Sequence, residues 1–295
     1  MTRRIVTSAV GLPLIVAVVY FGGIYLRLTL LVLSCVGLAE FYQAMTGELA
    51  PAVKNKRALK DSLPIRWFFG RFSIHDIGYA FTVLYYFLLP DIASAPYFFV
   101  MITMFIITLL VFIVLFYEKI HIIDCALTLF GFFYVAFLLS FIYLVRMHLL
   151  GIFFVWLIFI SAFGCDTSAY FTGRMLGRHK LTPKLSPNKT VEGAVGGVIG
   201  AGLLALLYGF FIVKVLRIAS NLTSANIILY SAAVGLVGAV FASFGDLAAS
   251  SIKRLKNIKD FGALFPGHGG VLDRFDSVIF AAPMVYMVMI LLLKR

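Results

Sequence analysis

Between Ser250 and Asp276 the chain reads SSIKRLKNIKDFGALFPGHGGVLDRFD. This polar stretch holds Lys253, Arg254, Lys256 and Lys259, then a Pro266-Gly267-His268-Gly269-Gly270 turn, then Asp273-Arg274-Phe275-Asp276. Lysine and arginine neutralise phosphate oxygens, and carboxylates hold a hard cation; Mg²⁺ prefers oxygen donors and uses one or two carboxylates together with substrate phosphates. Asp246 lies just upstream and Asp273 just downstream, so a chain that folds back brings both to one mouth, with Asp276 as a further donor. Taken alone, Asp273 and Asp276 equally suit the start of a helix, where acids complement the exposed N–H groups. His268, among glycines, either contacts a phosphate or braces the turn.

A second polar region lies upstream. Asp166, Tyr170 and Arg174 recur every four residues, the spacing of one helix face. Ser243, Asp246, Ser250 and Lys253 or Arg254 form another stripe at helical spacing, and stripes of this kind line a polar cavity better than they face lipid. The loop GRHKLTPKLSPNKTVEG after Arg174 adds Arg178, Lys180, Lys184 and Lys189. Its Ser186-Pro187 pair predicts a helix start, serine as N-cap and proline at the first position, which could itself hold a phosphate. The chain lacks a GxxxxGK[ST] loop, a GxGxxG turn after a strand, HExxH, and the D-G-x2-A-R pattern of enzymes that use CDP-alcohols.

These groups need a scaffold, and composition says which kind. The 295 residues are 62% hydrophobic and only 13% charged, with a mean hydropathy of +1.03, too few polar groups to cover a soluble surface. The fold class expected is all-α, a polytopic integral membrane protein. A spanning helix takes about 20 apolar residues, and nine apolar runs occur, at about 5–24, 27–45, 77–90, 96–117, 122–145, 149–171, 193–214, 227–249 and 275–292; the third is short, so the expected count is nine or eight. The first, after Arg3 and Arg4, reads as an uncleaved helix because no small-x-small site follows Val19. With the N-terminus inside and the C-terminus outside, 19 of the 25 Lys and Arg residues fall on the inner side, which predicts N-in/C-out with a polar cavity facing the cytoplasm. Glu40, Asp166 and Asp246 then sit late in spans that end on that side. The net charge of +12 suits anionic lipid or nucleotide. Residues 1–145 read as helical scaffold carrying a basic loop at 46–75, residues 146–295 as the catalytic region, together one continuous membrane domain. Cys35, Cys125 and Cys165 lack CxxC spacing and read as packing residues.

The polar residues resemble a known family. Ser250-x-Ile252-Lys253-Arg254-x4-Lys259-Asp260-x-Gly262-x2-Phe265-Pro266-x-His268-Gly269-Gly270-Val271-x-Asp273-Arg274-Phe275-Asp276 is similar at every specified position to the signature of the phosphatidate cytidylyltransferases, or CDP-diacylglycerol synthases. Asp166, Ala169-Tyr170, Gly173-Arg174, Gly177, Leu185-Ser186-Pro187, Lys189-Thr190 and Glu192-Gly193 resemble that family's second polar region, with Asn188 where a second lysine is common. The resemblance covers the C-terminal half firmly; upstream only Ala39-Glu40-Phe41-Tyr42 is family-like. It implies the reaction CTP + phosphatidate → CDP-diacylglycerol + pyrophosphate in phospholipid biosynthesis, on the cytoplasmic side of the cell (inner) membrane. It also implies Mg²⁺ on the aspartates matching Asp246 and Asp273. In that reading Asp246, Lys253, Arg254, Lys259 and Asp273 are catalytic. Asp166, Tyr170, Arg174, Lys184, Ser186, Lys189, Glu192, Ser250, His268 and Arg274 bind or orient substrate, and Asp276 joins the metal ligands. CTP and phosphatidate are the partners, with a homodimer as a candidate assembly and no nucleic acid. The rival readings are an ion-coupled transporter, which would place polar groups near the midplane of two related halves, and a CTP-dependent lipid kinase, which would release CDP.

Overall fold

A computed structural model describes residues 2–46, 73–92, 95–216, 224–264 and 269–293. All nine apolar runs are helical, as lipid requires of a chain whose backbone groups find no water to bond. In order they form α1 (Thr2–Phe21), α2 (Gly23–Thr46), α3 (Ile74–Ile92), α4 (Ala95–Leu115), α5 (Ile122–Gly131), α6 (Leu138–Met147), α7 (Gly151–Phe159), α8 (Cys165–Leu176), α9 (Val191–Leu216), α10 (Ser224–Leu255) and α11 (Leu272–Leu293). Two π turns, Phe132–Phe137 and Ile160–Gly164, join α5 to α6 and α7 to α8, so each pair makes one long span. Seven helical segments among the described residues are long and apolar enough to cross a membrane; α1 and α3 fall outside that set. Most of the basic 46–75 loop (47–72), His268, Arg217, Lys294 and Arg295 lie outside the described residues.

The chain divides into two compact units, residues 31–137 and residues 1–30 with 138–295. The first is pinned by polar links between helices, which stand in for the hydrophobic drive that lipid removes. Ser34 Oγ pairs with Tyr86 Oη at 2.9 Å, and Tyr86 donates onward to the Ala136 carbonyl at 3.1 Å. Tyr42 donates to the Thr128 carbonyl at 3.1 Å and stacks on His75, whose Nδ1 lies 2.9 Å from Thr128 Oγ1. Glu40 is buried in the same unit.

The second unit gathers α1 and α6 through α11. Arg146, at the end of α6, donates to the carbonyls of Val19 (3.0 Å) and Tyr20 (3.0 Å) in the last turn of α1. Helix α9 packs between α8 and α10, and α10 packs in turn on α11. The α8–α9 approach is close enough that a Cβ on Gly197 would lie 2.9 Å from the Cys165 carbonyl and 2.9 Å from Ala169 Cβ, so only glycine fits. Cys165, Ala201 and Ala239 form a small-residue core there with Val198 against it. All three cysteines are free.

One sequence expectation is corrected. Ser186-Pro187 does not begin a helix; it opens β2 (Ser186–Thr190), which pairs antiparallel with β1 (Lys180–Thr182) as a hairpin. Helix α9 begins later because Thr190 is the better cap. Its Oγ1 accepts from the Gly193 N–H at 3.1 Å, satisfying a donor of the first turn.

Candidate active site

Three carboxylates from three helices converge in the second unit. Asp166 lies in the first turn of α8, two residues beyond the Ile160–Gly164 π turn, whose extra residue resets the face that α8 presents. Asp276 lies in α11, and Ser277 bridges the two: its Oγ donates to Asp166 Oδ2 at 3.3 Å and lies 3.5 Å from Asp276 Oδ1. Asp246 in α10 faces both through its charge. It is brought there by Gly245, where a Cβ would collide with the Asp276 carbonyl oxygen and lie 3.0 Å from Phe280 Cβ. Asp246 accepts from Lys189 Nζ on one oxygen and from Ser250 Oγ at 3.4 Å on the other.

Asp166, Asp246 and Lys189 open on a cavity of about 540 Å³, within the range that holds a drug-sized ligand. Asp166, Tyr170, Arg174, Ser186, Lys189 and Asp246 line it. The stripe on α8 is therefore one wall, with Arg174 donating to Tyr170 Oη at 3.3 Å, and the β1–β2 hairpin is another. The hairpin is held from below by Glu192, which accepts from the backbone N–H of Arg178 at 3.1 Å and of His179 at 3.2 Å, and pairs with His179 Nδ1 at 2.6 Å. Lys180 closes the hairpin by donating to the Pro187 carbonyl at 2.6 Å.

Asp273 stands apart from the carboxylate trio in its bonding. It accepts from Lys253 Nζ at 2.8 Å, from the Phe261 N–H at 2.8 Å and from the Gly270 N–H at 3.0 Å, in a pair whose side chains are 14% (Lys253) and 5% (Asp273) exposed. Lys253 Nζ also lies 5.5 Å from the Phe261 ring centre, a cation–π distance. This arrangement ties the two ends of the α10–α11 loop to α11.

The remaining predicted residues are placed around this centre. Lys184 is exposed at the hairpin tip, and Arg254 donates to the Leu185 carbonyl at 3.4 Å, joining α10 to that tip. Lys259 is exposed in the α10–α11 loop and Arg274 in the first turn of α11. None of these four, nor Glu192, Ser250, Lys253, Asp273 or Asp276, lines the cavity itself. Sequence reasoning did not single out Ser277 or His179. Ser277 had one signal available, its place next to Asp276; its bond to a residue 111 positions away had none.

Among the described residues, no three His, Cys, Asp or Glu side chains are set to hold a metal ion by themselves. The donors around Asp166, Asp246 and Asp276 are nonetheless carboxylate and hydroxyl oxygens, the set a hard cation takes when a ligand completes its coordination.

The fold and the site define a predominantly helical integral membrane protein with a carboxylate, lysine and arginine cavity in its C-terminal half. The chain is a member of the Cytidylyltransferase family, whose model matches residues 2–292. It is similar to proteins named phosphatidate cytidylyltransferase from Staphylococcus saprophyticus (37% identity over 168 residues, 57% of this chain and 60% of that protein) and Bacillus subtilis (38% over 141 residues, 48% and 49%). A third, from Staphylococcus haemolyticus, is 36% identical over 167 residues, 57% of this chain and 60% of that protein. The chain thus spans about half to three-fifths of the length of the curated relatives it matches.

Proposed function

We propose that the protein is a phosphatidate cytidylyltransferase that makes CDP-diacylglycerol on the cytoplasmic side of the cell membrane. The observation that carries this reading is a cavity lined by Asp166, Asp246, Lys189 and Arg174, with Asp276 linked to Asp166 through Ser277, in a chain of the Cytidylyltransferase family. Its bacterial relatives bear that enzyme name, and with nine spans 19 of the 25 basic residues would fall on one side.

A phosphate monoester is already a nucleophile near neutral pH, its second pKa being about 6, so the reaction needs no strong base. A phosphatidate oxygen bonds to the α-phosphorus of CTP, the bond from that phosphorus to the bridging oxygen breaks, and the electron pair leaves with pyrophosphate. The obstacle is bringing two polyanions together, so the site must cancel charge and hold attacking and leaving oxygens in line. Lys189 on the hairpin wall and Arg174 on the α8 wall meet phosphate oxygens; Tyr170 positions the Arg174 guanidinium. Lys253 and Asp273 hold the α10–α11 loop in place beside the site. Mg²⁺, held by Asp246 with Asp276 and Asp166 alongside, would supply neutralisation of the nucleotide phosphates and of the departing pyrophosphate. Asp273, the ligand that the resemblance implies, would join it by releasing Lys253.

The test is purified protein in liposomes with phosphatidate, labelled CTP and Mg²⁺. A labelled lipid and free pyrophosphate are expected, and Asp246→Asn and Asp276→Asn should each abolish the product while the protein still inserts. Release of CDP in place of pyrophosphate would assign a kinase, and near-normal turnover in Asp246→Asn would remove that residue from the site.

A further inference from the structure

We infer that Lys189 is a resident counter-ion that competes with a divalent cation for Asp246 and gives the carboxylate up when a nucleotide phosphate takes the lysine over. The inference deepens the nucleotidyl-transfer reading and rests on it.

Both oxygens of Asp246 are engaged, one by the Lys189 ammonium and the other by Ser250 Oγ. Lys189 also faces Asp166 across the same centre. A cation arriving at Asp246 meets an ammonium already bonded there, and two positive groups on one carboxylate repel each other at close range. The lysine has somewhere to go. It lines the cavity of about 540 Å³ in which a phosphorylated ligand would sit, so its flexible stem can turn from Asp246 to a phosphate oxygen within one open space.

The backbone that carries it is held while the side chain turns. Thr190, the next residue, caps α9 through the Gly193 N–H, and Glu192 grips the N–H groups of Arg178 and His179 at the far end of the hairpin. The exchange is therefore a side-chain event on a fixed strand. Its consequence is coupling: nucleotide raises the affinity for metal by removing the competitor, and metal raises the affinity for nucleotide by the same factor. Cation and nucleotide then enter as a unit, and Asp246 does not collect free divalent ions between turnovers.

The measurement is Mn²⁺ binding to the full-length protein in detergent without nucleotide, followed by loss of the EPR signal of free Mn²⁺. Lys189→Met and Lys189→Gln are expected to bind Mn²⁺ on the order of tenfold more tightly than the wild type, within the range of measured site-to-site couplings. Lys189→Arg, which keeps the charge, should bind like the wild type, and adding Asp246→Asn to either neutral variant should erase the gain. Neutral variants that bind Mn²⁺ no better than the wild type, or a gain that survives Asp246→Asn, would overturn the inference. Formation of CDP-diacylglycerol by the wild type is assayed on the same preparation. Turnover without the Mn²⁺ gain sinks the counter-ion alone, whereas the gain without CDP-diacylglycerol sinks the assignment of the reaction and leaves the exchange at Asp246 standing.

Discussion

Replacing Asp273 by asparagine separates a loop-holding role from a purely catalytic one. In the wild type its carboxylate takes the Lys253 ammonium and the N–H groups of Phe261 and Gly270, with little of either charged side chain exposed. Removing one partner of a buried ion pair costs about 3–5 kcal/mol, because the other charge is left uncompensated. Each N–H bond to a charged acceptor adds about 1.5–3 kcal/mol, and the asparagine carbonyl oxygen recovers part of that. A net loss of about 3–5 kcal/mol is expected for local opening of the segments 256–264 and 269–271. At about 1.4 kcal/mol per decade, amide exchange there should quicken by about two to four orders of magnitude. Hydrogen exchange read by mass spectrometry, on protein in nanodiscs with neither metal nor nucleotide, measures this directly. Lys253→Met should rescue part of the loss, with a coupling of about 1–3 kcal/mol in the double-variant cycle. Exchange within threefold of the wild type in Asp273→Asn, with no coupling to Lys253, would refute the staple and leave Asp273 as a ligand only.

Two further outcomes follow from the same geometry. Glu192→Ala leaves the Arg178 and His179 N–H groups to water in place of their carboxylate and should loosen the hairpin; faster proteolysis within 178–190, with the helices still intact by circular dichroism, is the reading that checks it. Gly245→Ala forces α10 and α11 apart at the Asp276 carbonyl and should cost about 1–3 kcal/mol, seen as a lower unfolding midpoint in detergent. An unchanged midpoint would mean that the two helices are not in contact there.

The helices were the most legible part of the sequence, because lipid leaves an apolar run no alternative to bonding its backbone internally. The Asp166, Tyr170, Arg174 stripe was legible for a related reason: a four-residue spacing fixes a helix face whatever the rest of the chain does. The hairpin was misread because Ser186-Pro187 carries strong helix-start chemistry, and what overrides it is the pairing of Thr182 with Ser186 and the cap at Thr190. Asp273 and Asp276, three residues apart, suit a helix start equally, and the sequence ranks Asp273 as the main metal ligand with Asp276 as a further donor. They differ because the backbone N–H groups of Phe261 and Gly270 turn toward one of them, while Gly245 brings the other against α10. Such distinctions depend on which distant groups meet, and no local pattern records that Ser277 will bridge to Asp166.

The bond from Arg146 to the end of α1 also has a consequence in time. The arginine is 127 residues downstream of Val19, so at a synthesis rate of about 5–20 residues per second α1 emerges roughly 6–25 s before the side chain that will serve its last carbonyls exists. During that interval water or lipid headgroups must serve them. Helix α1 is thus fastened only after α2 through α6 have been made, when the chain is about half complete.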